Sequence, residues 1–266
     1  MIPNIFEAVR GTDVAAGFWE YYHLDVANTV PGDADGLTRF VSDVWSFLKP
    51  SGRLLSVGCG YGLNEIVLSF LSPGLHVVGV DILDDKRSNA KIRSMKVIAR
   101  HLHADGVTPL LADGAGLPFR DETFDFVVAI DSLSHADYMR EDRDLEKSQA
   151  LLLKEMSRVI RPGGRLGVVD NSVVSPRNVM RKSGTTCHPV NPFYLKFVLE
   201  KLQYEQVSIV PYYDLTGRND MVARLLRALL NRSRKLGILL APLFMLRGKK
   251  KSITRDKAAI TVPRDS

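Results

Sequence analysis

Leu54-Leu55-Ser56-Val57-Gly58-Cys59-Gly60-Tyr61-Gly62 is the stretch that decides the fold: a buried strand runs into a loop with glycine at alternate positions, and Asn64 to Phe70 continue as a helix. Glycine lets the backbone turn tightly and admits a ligand to the main chain, while the unpaired N–H groups of a helix start attract an anionic group. Twenty-one residues after Gly60, Asp81 closes the run His76-Val77-Val78-Gly79-Val80. A carboxylate there accepts hydrogen bonds from ribose hydroxyls and repels a 2′-phosphate. A nucleotide-like ligand is implied; the plain alternative for the loop is a tight turn that binds nothing. The spacing is G-x-G-x-G, with Leu63 where the dinucleotide pattern has glycine or alanine, which disfavours NAD.

Outward from this loop, short apolar runs alternate with helical stretches. The runs are Leu54 to Val57, Val77 to Val80, Leu110 to Ala112, Phe124 to Ile130, Leu166 to Val169 and Val207 to Val210. That order reads as βαβ units in a doubly wound, mostly parallel sheet of the α/β class. Ile92, Met95, Ala99 and Leu102 share one helical face, as do Leu145, Leu152, Met156, Val159 and Ile160. Arg161-Pro162-Gly163-Gly164 ends the second of these helices and turns the chain into the next strand.

A chain of 266 residues, 45% hydrophobic and 25% charged, can bury a sizeable core and is not a disordered or disulfide-stapled sequence. Two cysteines, Cys59 and Cys187, give neither a disulfide framework nor paired zinc ligands. Cys187-His188 has no second ligand pair, so no metal is expected. The N-terminus shows no secretory signal pattern, and a cytoplasmic location is the expectation. The net charge of +6 is unevenly placed: residues 1–217 hold 23 basic against 27 acidic residues, and residues 218–266 hold 13 against 3.

Four segments in order, LLSVGCGYG, VVGVDI, LLADGAGLPFRDETFDFVVAIDSLSH and LLLKEMSRVIRPGGRLGVVD, resemble the class I S-adenosylmethionine-dependent methyltransferases, particularly the small-molecule and lipid branch that includes the quinone-biosynthesis enzymes. The resemblance runs from about Leu54 to Val169. It implies a Rossmann-like sheet of seven strands in one domain, with S-adenosylmethionine as cofactor. Gly58, Gly60 and Gly62, with Cys59 between them, would face its methionine part, Asp81 its ribose, Ile82 the adenine face, and Asp113 with Gly114 the adenine amino group. Asp131 would lie at the mouth beside the methyl donor. The family has an acid where Ser56 stands, so that contribution to the methionine end is lost or replaced. Each Asp also has a plainer role: Asp81 and Asp131 as helix caps or turn formers, Asp113-Gly114 as a turn dipeptide.

Methyl transfer needs alignment, exclusion of water and a deprotonated acceptor. His135, four residues beyond Asp131, and His188, in the loop after the fifth strand, are the candidate bases, since an imidazole titrates nearest neutral pH. Their alternative is packing or hydrogen bonding. Phe18, Trp19, Tyr21 and Tyr22 form either a lid over the substrate or a packed edge, with Trp19 and Tyr22 the candidate substrate contacts.

The family pattern ends in an antiparallel strand, for which Ala258 to Val262 is the candidate. The expected layout is an N-terminal helical cap (1–50), a cofactor-binding core (51–213), a basic helical insertion (214–250) and the last strand (251–266). In the insertion Val222, Leu225, Leu226, Leu229 and Leu230 form an apolar stripe, followed by the uncharged run Leu236 to Leu246 and then Arg247 and three lysines. Eleven residues are too few to span a bilayer, but basic flanks fit a helix on an anionic membrane surface. A lid or dimer helix is the plainer reading. Nucleic acid is disfavoured, because the insertion offers only Phe244 for stacking. The expected activity is methyl transfer to an oxygen or carbon of a small or lipid-like acceptor. The competing functions are an NAD-dependent oxidoreductase and a non-catalytic cofactor-binding scaffold.

Overall fold

The alternating apolar runs pair side by side. The computed structural model describes residues 4–10, 12–15, 34–82, 88–136, 144–175, 188–212, 234–241 and 243–252. The strands are β1 (Arg53–Val57), β2 (His76–Asp81), β3 (Val107–Leu111), β4 (Phe124–Ile130), β5 (Ile160–Asn171), β6 (Tyr204–Tyr212) and β7 (Leu243–Lys250). They form one seven-stranded sheet in the order β3-β2-β1-β4-β5-β7-β6. β1 pairs in parallel with β2 and β4, and β7 runs antiparallel between β5 and β6.

The central strands are apolar on both faces because helices cover both. α1 (Ile5–Arg10), α2 (Ala34–Leu48), α3 (Leu63–Leu71) and α4 (Ser88–His101) lie on one side; α5 (Leu145–Val159), α6 (Pro192–Lys201) and α7 (Arg234–Leu240) lie on the other. Alternation along the strands distributes their side chains: Leu54 and Val128 pack with Leu48, Ile66 and Met95, while Leu55 and Val127 pack with Leu153, Met156 and Leu195. Because β2 and β4 flank β1 on opposite sides, the crevice outside the carboxyl ends of β1 and β4 is where such a sheet receives a ligand.

The last strand is not where the sequence suggests. β7 is Leu243–Lys250, inside the expected helical insertion; Ala258 to Val262 lies outside the described residues. Phe244 and Leu246 enter one core and Leu243 and Met245 the other, so the run is a strand buried on both faces and shows no period-two pattern. Its basic end is held by the protein itself. Arg247 donates to the Phe47 carbonyl and lies 4.7 Å from the Phe47 ring centre. Lys250 Nζ donates to the Ser157 and Ile160 carbonyls, both at 2.8 Å, at the C-terminal end of α5, where a cation complements the helix dipole. Lys249 Nζ pairs with Glu205 at 3.5 Å. These contacts remove Leu243 to Lys250 from any membrane-facing helix. Among the described residues no helix is long and apolar enough to cross a membrane.

α5 ends at Val159, and the Pro162-Gly163-Gly164 segment forms an irregular strand entry: the register slips between the pairs Phe124 with Ile160 and Phe126 with Arg165, and Gly163 has φ +77°.

Candidate functional site

β1 delivers the chain into three left-handed glycines, with φ of +74° at Gly58, +56° at Gly60 and +71° at Gly62. A Cβ on Gly58 would stand 2.4 Å from Ser132 Cβ, and one on Gly62 would stand 2.3 Å from Met95 Cγ. At Gly60 no atom lies within 4 Å of that position, so the tip of the loop faces open space. The loop is fixed from below. Gly58 and Cys59 N–H both donate to the Val80 carbonyl, at 2.8 and 3.0 Å, and the Ser132 hydroxyl donates to the Val57 carbonyl at 2.9 Å.

Asp81 ties this loop to the next strand end. Its Oδ2 accepts from Gly60 N–H at 2.6 Å and its Oδ1 from Ile82 N–H at 2.8 Å. Each oxygen keeps a lone pair, which suits a ribose diol. Ile82 is half-buried beside it. Asp113 is exposed just beyond β3, where Ala112 N–H donates to the Asp81 carbonyl; its own carboxylate accepts from Ala115 N–H at 2.8 Å, and Gly116 N–H donates to its carbonyl. Asp113-Gly114 therefore is a turn on the same sheet edge as Asp81. The α3 N-cap is Gly62, with no side-chain cap. An open glycine tip, an acceptor-rich Asp81 and an uncapped helix start fit the sugar and amino-acid portions of S-adenosylmethionine. Cys59 Sγ packs 3.6 Å from Met95 Sδ, and burial, with the charges of Glu65 and Asp81, pushes the thiol well above its usual pKa, so it is no nucleophile.

The opposite wall is built from the ends of β4 and β5. Asp131 adopts φ +49°, its N–H donates to the Val169 carbonyl, and its Oδ1 accepts from Asn171 Nδ2 at 2.8 Å. Asp170, fully buried, accepts from the N–H groups of Leu133 (2.9 Å), Ser134 (3.1 Å) and Asn171 (2.8 Å). Burial, helped by the charge of Asp131, pushes the Asp170 carboxyl up to about 7. These bonds fix the 3-10 turn Leu133–His135, with half-buried His135 at its end. His188 is exposed, and its N–H donates to the Ser134 carbonyl at 2.9 Å, which brings the two candidate histidines to one turn. Trp19 and Tyr22 lie outside the described residues.

Three residues of this site are missed by the sequence reading: Glu65, Asp170 and Asn171. Ser56, where the resemblance expects an acid, donates its hydroxyl to Glu65 Oε1 at 2.5 Å, so a carboxylate is present there after all, delivered by α3. The signals are visible afterwards as one acid among Leu63, Ile66, Val67 and Leu68, and as two polar residues closing the run Val168-Val169. Replacement of Asp81 by Ala is expected to weaken binding of S-adenosylhomocysteine at least tenfold, the size of losing hydrogen bonds to a charged group; calorimetry reads it directly.

Comparison with known proteins agrees with this geometry. Residues 55–168 match the family described as methyltransferase domain. The chain is 31% identical over 163 residues to the O-methyltransferase rstn1 of Aspergillus nomiae, covering 60% of this chain and 65% of that protein. It is 35% identical over 169 residues to methyltransferase GfsG of Streptomyces halstedii, covering 63% of this chain and 54% of that one. The chain thus spans between half and two thirds of these relatives' lengths. Among solved structures, the [4+2]-cyclase SpnF superposes with a TM-score of 0.61 at 17% identity, covering 94% of this chain and 98% of that one; this shows a shared fold.

Proposed function

We propose that the chain is a class I, S-adenosylmethionine-dependent methyltransferase and that it methylates a hydroxyl oxygen of a small molecule. The observation that supports this most is the polar wall opposite the glycine loop, where Asp131, Asn171 and Asp170 hold one another and the turn that bears His135. The name of the relative rstn1, an O-methyltransferase, supports oxygen as the acceptor atom. The bound cofactor supplies an electrophilic methyl group on a sulfonium.

The chain's own residues do the rest. Gly58 to Gly62 and Asp81 hold the donor, and the end of β4 lies across the crevice from them. Holding two reactants in attack geometry supplies about 7 to 11 kcal/mol of a barrier. Asp131, clamped by Asn171, orients the acceptor at the mouth, and His135 takes the hydroxyl proton as the new C–O bond forms. The same wall with no proton to remove would suit a non-catalytic scaffold, and activity separates the two. Incubation of the protein with methyl-labelled S-adenosylmethionine and a panel of hydroxylated small molecules is expected to label at least one acceptor as a methyl ether. Label on carbon alone would remove the oxygen assignment. Tight cofactor binding with no label on any compound would favour the scaffold.

A further inference from the structure

Glu65 is the third residue of α3, directly after the glycine loop, and it is 1% exposed. Its Oε1 accepts from the Ser56 hydroxyl, while its Oε2 is buried with no hydrogen-bond partner among the described residues. The titratable groups that face it are both acids: Asp81 at the end of β2 and the thiol of Cys59; Lys91 of α4 faces Cys59. Among the described residues no cation pairs with it. Burial pushes the Glu65 carboxyl from 4.5 to about 7, the neighbouring Asp81 adding to this and the Ser56 hydrogen bond opposing it.

A carboxyl in that state is costly to keep. Its pKa in the folded protein exceeds that of the unfolded chain, so the fold retains a proton that the unfolded chain has lost. Stability from this group therefore declines as pH rises from about 4.5 to about 7. A structural partner for Ser56 is served as well by glutamine, which accepts the same hydrogen bond and never ionises. What glutamine cannot do is answer a cation. S-adenosylmethionine carries an α-ammonium group, and the uncapped start of α3 beside the open tip of the glycine loop is suited to the amino acid that bears it.

We propose that Glu65 is the carboxylate that receives the α-ammonium group of S-adenosylmethionine, and that uptake of the cofactor expels the Glu65 proton to solvent. This rests on the methyltransferase domain and adds a ligand supplied by the helix. The balance is simple: the neutral acid loses a proton to the buffer, the resulting carboxylate pairs with the ammonium, and no bond of the cofactor changes.

Titration calorimetry of the intact protein with S-adenosylhomocysteine, at pH 6 to 8.5 in buffers of different ionisation enthalpy, counts the proton. The expected result is proton release near pH 7 and affinity that rises with pH to a plateau. Ser56→Ala removes a bond to the ionised form and moves that rise to higher pH. Glu65→Gln abolishes the release and weakens binding about ten- to hundredfold, the size of a charged hydrogen bond. A deaminated analogue of the thioether binds wild type and Glu65→Gln equally, without proton release. Thermal melts without cofactor report whether Glu65→Gln is folded; if it is not, the deaminated analogue on wild-type protein decides. Proton release that persists in Glu65→Gln or with the deaminated analogue would overturn the assignment to Glu65. Failure of wild-type protein to bind the thioether at all would overturn the cofactor site itself.

Discussion

His135→Ala is expected to slow methyl transfer about 100- to 10,000-fold at saturating cofactor, the range in which a positioned proton acceptor acts. Affinity for S-adenosylhomocysteine should be unchanged, because the cofactor contacts assigned to the glycine loop and Asp81 lie on the other wall. The split between turnover and binding separates a base from a packing residue, since loss of packing would disturb both. His135→Gln, which keeps hydrogen bonding but has no site that takes up a proton at neutral pH, should behave like Ala. Retained turnover in both variants would move the base role to Asp131 or leave alignment alone to drive the reaction. Asp170 enters the same experiment indirectly. It accepts from two N–H groups of the turn that carries His135, so Asp170→Asn, which loses the charge and adds a donor, should lower turnover through displacement of that turn.

Phe244→Ala is expected to destabilise the fold by about 3 to 5 kcal/mol, the range for truncating a fully buried Phe. For a chain of this size that lowers the melting temperature by roughly 10 °C. Phe244 is fully buried in β7, between β5 and β6, and packs with Leu246, Leu166 and Leu195. The control is the same change at Phe193 or Phe197 of α6, which are 48% and 54% exposed and should each cost under about 0.5 kcal/mol. Denaturant unfolding of the three variants gives the comparison. Equal effects at Phe244 and Phe197 would contradict the placement of β7 at the heart of the sheet. Such a result would return this apolar run to a surface helix.

The glycine loop and Asp81 were legible from the chain because their requirement is local. A left-handed turn demands glycine within one or two residues, and a strand end demands its polar cap at the next position. The two carboxylates at the heart of the site were not, because what makes each of them unusual lies elsewhere in the sequence. Glu65 meets Ser56 nine residues back, and Asp170 meets Leu133 across 37 residues. Only stacking of the strands reveals that these acids are buried. β7 was missed for a related reason: an apolar run covered on both faces carries no alternation, and a family-based expectation of the final strand drew attention to Ala258 to Val262. The lysines then read as a basic surface, although Lys250 closes the end of α5 and Arg247 lies on Phe47.

Insertion of β7 between β5 and β6 also orders events in time. A nascent chain extended only as far as Tyr212 has both partners made and nothing to join them, leaving the β5 margin with a full row of unsatisfied amides and carbonyls. Until residue 250 has left the ribosome, β5 keeps an open edge and β6 has no neighbour, and any ribosome-stalled or prematurely terminated product should be a preferred client of chaperones and proteases.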